Sequence, residues 1–125
     1  MDKDYILSVA ETIRKQLFLG TDPDIIGSWA VSNPEATVFK DMPAFGFQAD
    51  ARLFKGIVIV ALNSMDLYEV YLLNKDTKRC VSNEVYADQL SEVIDTAIES
   101  GDNPEEYKKF CEAQRSLLVN NVIIL

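Results

Sequence analysis

Hydrophobic positions recur along this chain with two different periods, and the switch between them marks out the elements. In residues 4–19, Ile6, Ala10, Ile13 and Leu17 fall at i, i+4, i+7 and i+11, with Leu7 and Phe18 widening the stripe. That spacing predicts an amphipathic helix. Asp2 or Asp4 is placed to cap its start and Gly20 to end it. From residue 44 the period falls to two. Phe45, Phe47, Ala49 and Ala51 alternate with Gly46, Gln48 and Asp50, as in a strand with one wet face. The strongest signal comes next: GIVIVALN (56–63) and DLYEVYLLN (66–74), joined by turn residues Asn63, Ser64 and Asp66. These predict an antiparallel hairpin at the centre of a small sheet. Residues 57–62 do not alternate, so this strand asks for cover on both faces, from helices or from a second subunit.

The weaker segments fill in the rest. Residues 25–32 read as a short strand with Trp29 and Val31 on one face, entered through a turn at Pro23 and broken by Asn33-Pro34. Residues 36–39 suit an edge segment and 79–82 a last strand. Between 86 and 100, Tyr86, Leu90, Val93, Ile94, Ala97 and Ile98 cluster on one side of a second helix. Asn103-Pro104-Glu105-Glu106 carries the cues of a further helix start, whose inner face would be Tyr107, Phe110, Cys111, Gln114, Leu117 and Leu118. The tail VNNVIIL (119–125) suits either a last strand or extra helical turns. The expected fold is α+β: an N-terminal helix, a central antiparallel sheet of four or five strands and two C-terminal helices, in one domain spanning 1–125.

Composition narrows the chemistry. With 125 residues and 48% hydrophobic content, one core forms without staples. Cys80 and Cys111 have no framework spacing, and no apolar run reaches membrane-spanning length, so a cytoplasmic protein away from membranes is expected. The absence of histidine removes Ser-His-Asp and Cys-His nucleophiles and leaves no basis for a zinc site. No glycine-rich phosphate loop occurs, and no cofactor is expected. Net charge is −8, but unevenly spread: residues 84–106 hold Glu84, Asp88, Glu92, Asp95, Glu99, Asp102, Glu105 and Glu106 with no Lys or Arg. The rest of the chain balances, twelve acids against twelve bases, and the overall sign argues against direct nucleic-acid binding.

Within that block, Glu84, Asp88, Glu92, Asp95 and Glu99 fall at i, i+4, i+8, i+11 and i+15. On an ideal helix they lie within roughly 80° of one another. One reading is a negative ridge that mimics phosphates or docks on a basic protein; the other is a solvated outer face. Asp22-Pro23-Asp24 with Glu35 nearby offers oxygens, but without the EF-hand spacing, and turn-forming acids explain it better than a metal site. Trp29 and Tyr68, with Phe39, Phe45, Phe47 and Tyr71, suggest an alternative: an aromatic-lined pocket in a small ligand-binding protein or enzyme, set against simple core packing. The apolar surplus of residues 57–62 and 122–125 points to a homodimer.

IVIVALNSMDLYEVYLL (57–73) followed by EVYADQLSEVI (84–94) resembles small uncharacterised accessory proteins carried by phages and other bacterial mobile elements. In these a strand pair ending in a DLY-type motif precedes a VYxDQL-type helix start. The resemblance extends through IRKQLFLG (13–20) and SWAVSNPEATVF (28–39) and leaves the third helix outside. It implies a cytoplasmic accessory protein of such an element and assigns no catalytic residue; the function expected is non-enzymatic, through protein–protein contacts.

Overall fold

Two aspartates start the first two helices in the same way. The computed structural model describes residues 1–120, and side chains as far as Arg115. Helix α1 (Lys3–Leu19) begins at Asp2, whose side chain accepts the Asp4 N–H, and it buries Ala10, Ile13 and Leu17. Helix α2 (Pro23–Trp29) begins at Asp22, which accepts the Asp24 N–H at 2.8 Å. Pro23 sits where a missing N–H costs nothing, and Asp24 complements the positive end of the helix. The strand expected over 25–32 is therefore not formed. Trp29 enters the core from the last turn of a helix, and the chain leaves through Ala30 at φ 48°.

Five strands come after: β1 (Ser32–Phe39), β2 (Met42–Asp50), β3 (Lys55–Leu62), β4 (Tyr68–Leu73) and β5 (Lys78–Val85). They form an antiparallel sheet in the order β1-β2-β3-β4-β5, with the predicted hairpin at β3–β4. Asn33-Pro34, expected to break a strand, instead lies inside one. Asn33 adopts φ 50° and a register shift between Ser32 and Glu35 absorbs the irregularity. An edge strand tolerates this, because Pro34 falls in the irregular stretch, where it has no partner in the ladder. The β1–β2 connection is a two-residue turn with Lys40 at φ 50° and Asp41 at φ 62°, the left-handed pair that suits the twist of a hairpin.

The inward alternation of β2 holds: Phe45, Phe47 and Ala49 join Val58, Val60, Val70 and Leu72 beneath Ile13, Leu17, Trp29, Leu90, Ile94 and Ile98. All the helices that pack on the sheet do so from this side. The opposite face of β3 is nevertheless buried at Ile59 and Ala61, with only sheet residues packed there among the described ones. Ala44 and Ala61 stand directly opposite each other and are buried in one cluster with Ile59 and Tyr71. Phe39 from β1 and Tyr71 from β4 meet there with ring centroids 4.8 Å apart, although β2 and β3 lie between their strands. The Lys78 ammonium reaches 5.8 Å from the Phe39 ring and that of Lys40 4.8 Å from the Tyr71 ring. Sheet twist is what brings side chains of non-neighbouring strands together on one face. The second face of the central strand is thus covered by the sheet's own side chains, a third solution beside helices or a partner.

Strand β5 runs further than the expected 79–82, carrying Glu84 and ending at Val85. The helix after it is composite: a 3₁₀ turn (Ala87–Gln89), α3 (Leu90–Asp95) and a π turn (Thr96–Ser100). Gly101, at φ 73°, ends it, and Asn103 caps α4 (Pro104–Asn120) by accepting the N–H groups of Glu105 and Glu106. Of the inner face predicted for α4, Tyr107 and Phe110 are half-buried, whereas Cys111 and Gln114 are exposed. Leu117, Leu118 and the tail residues 121–125 lie outside the described side chains, and so does the expected role of the tail in dimerisation. Among the described residues no helix is long and apolar enough to cross a membrane.

Candidate functional site

The row of acids from Glu84 to Glu99 passes through four kinds of backbone, and this bears on where each carboxylate points. Glu84 is exposed on β5, Asp88 on the 3₁₀ turn and Glu92 on α3. The other two members of the expected row turn inward. Asp95 is half-buried and accepts the indole N–H of Trp29 at 2.9 Å. Glu99 is only 5% exposed. Asp95 turns inward from the end of α3, whereas Glu99 lies within the π turn, in which the Gly101 N–H reaches back five residues to the Thr96 carbonyl. That bonding adds a residue to the turn and rotates the residues beyond it. One continuous ridge of five carboxylates on one helix is therefore not formed. What stays outward is Glu84, Asp88 and Glu92, exposed residues that flank Tyr86 along the chain, and Tyr86 is itself 60% exposed.

Beside this group a cleft of about 250 Å³ is lined by Asn63, Met65, Glu69, Asn83 and Glu84. Asn63 organises its wall. Its side-chain oxygen accepts the N–H groups of Met65 and Leu67, and its amide donates to Glu69 at 3.1 Å. Met65 is 76% exposed at the tip of the β3–β4 turn. The Tyr71 hydroxyl donates to Glu69 at 2.6 Å, and that bond, together with burial, pushes the phenol above its ordinary value.

Trp29 and Tyr68 do not form a pocket. Trp29 is fully buried and stacks on Phe47 at 6.4 Å between centroids. Tyr68 packs in the same core and donates its hydroxyl to Gln16 on α1. Burial raises its phenol pKa. Both aromatic bodies fill space between helices and sheet, with one polar tip satisfied at each. Asp22 is spent capping α2, and Glu35 lies exposed on β1. Among the described residues no three Cys, Asp or Glu side chains converge as a metal site requires.

One residue that the sequence presents only as part of a connector gathers more contacts than any predicted site residue. The Arg52 backbone N–H donates to the Glu99 carboxylate at 2.7 Å. Its guanidinium donates to the main-chain oxygens of Glu99 (2.8 Å) and Ser100 (3.0 Å), capping the C-terminal end of the composite helix. The same group lies 5.3 Å from the ring centroids of both Tyr107 and Phe110 and 3.6 Å from the Glu106 carboxylate. Tyr107 donates its hydroxyl to Glu99 at 3.2 Å. Burial, reinforced by the Glu99 charge, holds that phenol protonated well above its ordinary value. No local motif marks Arg52; only its place between apolar Ala51 and Leu53 sets it apart.

These geometries contain neither a nucleophile–base pair nor a phosphate cradle among the described residues; they describe an acidic surface and the structural cluster that shapes it. No protein-family model, curated protein or solved structure matches this chain.

Proposed function

We propose that this is a non-enzymatic accessory protein that acts through protein–protein contacts, and that the exposed group Glu84, Tyr86, Asp88 and Glu92 receives a basic partner. The observation that carries the reading is Tyr86, 60% exposed among carboxylates in a segment without any Lys or Arg. An exposed aromatic side chain supplies contact area at low entropic cost, and surrounding charge of one sign steers and selects the partner. Exposed Met65, on the neighbouring cleft, adds an apolar contact. The resemblance of the 57–73 and 84–94 segments to phage and mobile-element accessory proteins supplies the cellular setting, a bacterial cytoplasm hosting such an element. The reading excludes Asp95 and Glu99 from the surface, since both are committed to internal hydrogen bonds.

Affinity capture from the native cell tests it. The triple variant Glu84→Lys, Asp88→Lys, Glu92→Lys should lose a partner that the parent protein retains, and added salt should weaken the parent's capture. Equal capture by parent and variant would sink the proposal. Tyr86→Ala should reduce capture while leaving its salt dependence in place, because it removes contact area and no charge.

A further inference from the structure

We propose that α4 is a strap that undocks from the body as a unit, pivoting at Gly101, with Arg52 holding it in the docked state. Three observations carry this. Every side chain from Pro104 to Arg115 is exposed except Tyr107 and Phe110, which are only half-buried. Among the described side chains, the polar links between α4 and the body converge on one place: the Tyr107 hydroxyl on Glu99, and Glu106 with both aromatic rings on the Arg52 guanidinium. The joint is also incompletely packed. An open cleft of about 510 Å³ runs along it, walled by Ser100 and Gly101 on one side and Pro104, Tyr107, Lys108 and Cys111 on the other.

The pivot sits at the left-handed glycine between the composite helix and α4. Gly101 holds φ 73°, and a Cβ placed there would come within 3.2 Å of Leu53 and 3.3 Å of the Arg52 guanidinium. On the body side the Arg52–Glu99 pairing does not run through any described side chain of α4. Arg52 keeps its bonds to the Glu99 and Ser100 carbonyls, and Glu99 keeps the Arg52 N–H, after the strap has left. Undocking sets free the Tyr107–Phe110 face and one side of a guanidinium. A helix of this length released from its packing is marginal in water, so α4 melts once it has swung away from the body.

Limited trypsin digestion of the full chain reads the open state, because Lys108 and Lys109 lie in α4 whereas Arg14 and Lys15 lie in α1. In the parent protein cleavage at Lys108 or Lys109 should outpace cleavage at Arg14 or Lys15 by at least about tenfold, as expected of a low-stability unit. The double variant Tyr107→Ala, Phe110→Ala should accelerate the α4 cleavage about tenfold more, with the α1 cleavage and the body's unfolding midpoint unchanged. Arg52→Gln should accelerate it likewise. Because Arg52 also caps the composite helix, the double variant, which alters only the strap, keeps the test decisive if Arg52→Gln fails to fold. Equal cleavage of α1 and α4 in the parent would overturn the proposal. So would parallel acceleration at both helices in the double variant, or no change at either.

Discussion

Helices α1 and α4 are both 17 residues long and both carry apolar positions at helical spacing, yet they meet the rest of the molecule differently. α1 lays Ala10, Ile13 and Leu17 on the strands and hides them almost completely from solvent. α4 offers Tyr107 and Phe110 to a single arginine and keeps its other side chains, as far as Arg115, in water. The difference lies in the surface that remains to be covered. By the time the chain reaches Pro104, the helix-facing side of the sheet is filled by α1, Trp29 and the Leu90, Ile94 and Ile98 row, and the other side has closed on itself through Phe39 and Tyr71. An amphipathic pattern states that a helix has an apolar face; it does not guarantee that the fold still has an apolar surface to receive it.

The contrast can be broken from several directions. Ile13→Ala, at a site with no exposed surface, should cost about 2–5 kcal/mol in urea unfolding, since a cavity is left in a packed core. A cost below about 1 kcal/mol would show that α1 is no more integral than α4. Glu99→Ala should cost about 1–3 kcal/mol, because it leaves the Arg52 N–H and the Tyr107 hydroxyl without their acceptor. The same measurement on Glu92→Ala serves as its control.

Alkaline pH should loosen both docks. Tyr68, which joins β4 to α1, and Tyr107, which joins α4 to Glu99, both have phenols raised above 10 in the folded state. Between the unfolded and folded pKa values the unfolded chain binds fewer protons, so their contribution is whole below about pH 10 and is lost as pH rises above it. Tyrosinate absorbance and tryptic cleavage at Lys108–Lys109 should rise together above that pH in the parent protein. In Tyr107→Phe the alkaline increment in cleavage should disappear. If it persists, the hydroxyl is not the group that ties the strap to pH.

Smaller still, Phe110→Ala should lower global stability by less than about 1 kcal/mol, its effect appearing instead in local opening of α4. Glu92→Ala should stay within about ±0.5 kcal/mol, as a substitution on an exposed helix face does. A larger effect of Glu92 would mean that the outward part of the acidic segment is also structural.

Two nearly identical signals show how far the sequence could be read. Asn103-Pro104-Glu105 and Asp22-Pro23-Asp24 both place a capping side chain before a proline and an acid, and both start helices. Only the first is legible at once, because a long stripe comes after it. After Asp24 the run Ile25-Ile26 carries strand propensity, and a seven-residue helix leaves too little period to oppose it. The acidic row fails for another reason. Its i, i+4 spacing assumes α geometry throughout, whereas Glu84 ends up on a strand and the π turn shifts the phase before Glu99. Arg52 was illegible as a hub, since its partners lie 47 residues or more further along the chain.

Local pattern by itself determined α1, the β3–β4 hairpin, the inward side of β2 and the start of α4. In each, the side-chain period and the turn or capping residues agree, so the nearest neighbours suffice. Tertiary structure alone decided that Trp29 arrives on a helix, that Phe39 and Tyr71 close over Ala44 and Ala61, and that Arg52 joins Glu99 to the α4 aromatics. Those outcomes depend on sheet twist and on which surfaces earlier elements had already filled, and both are properties of the whole chain.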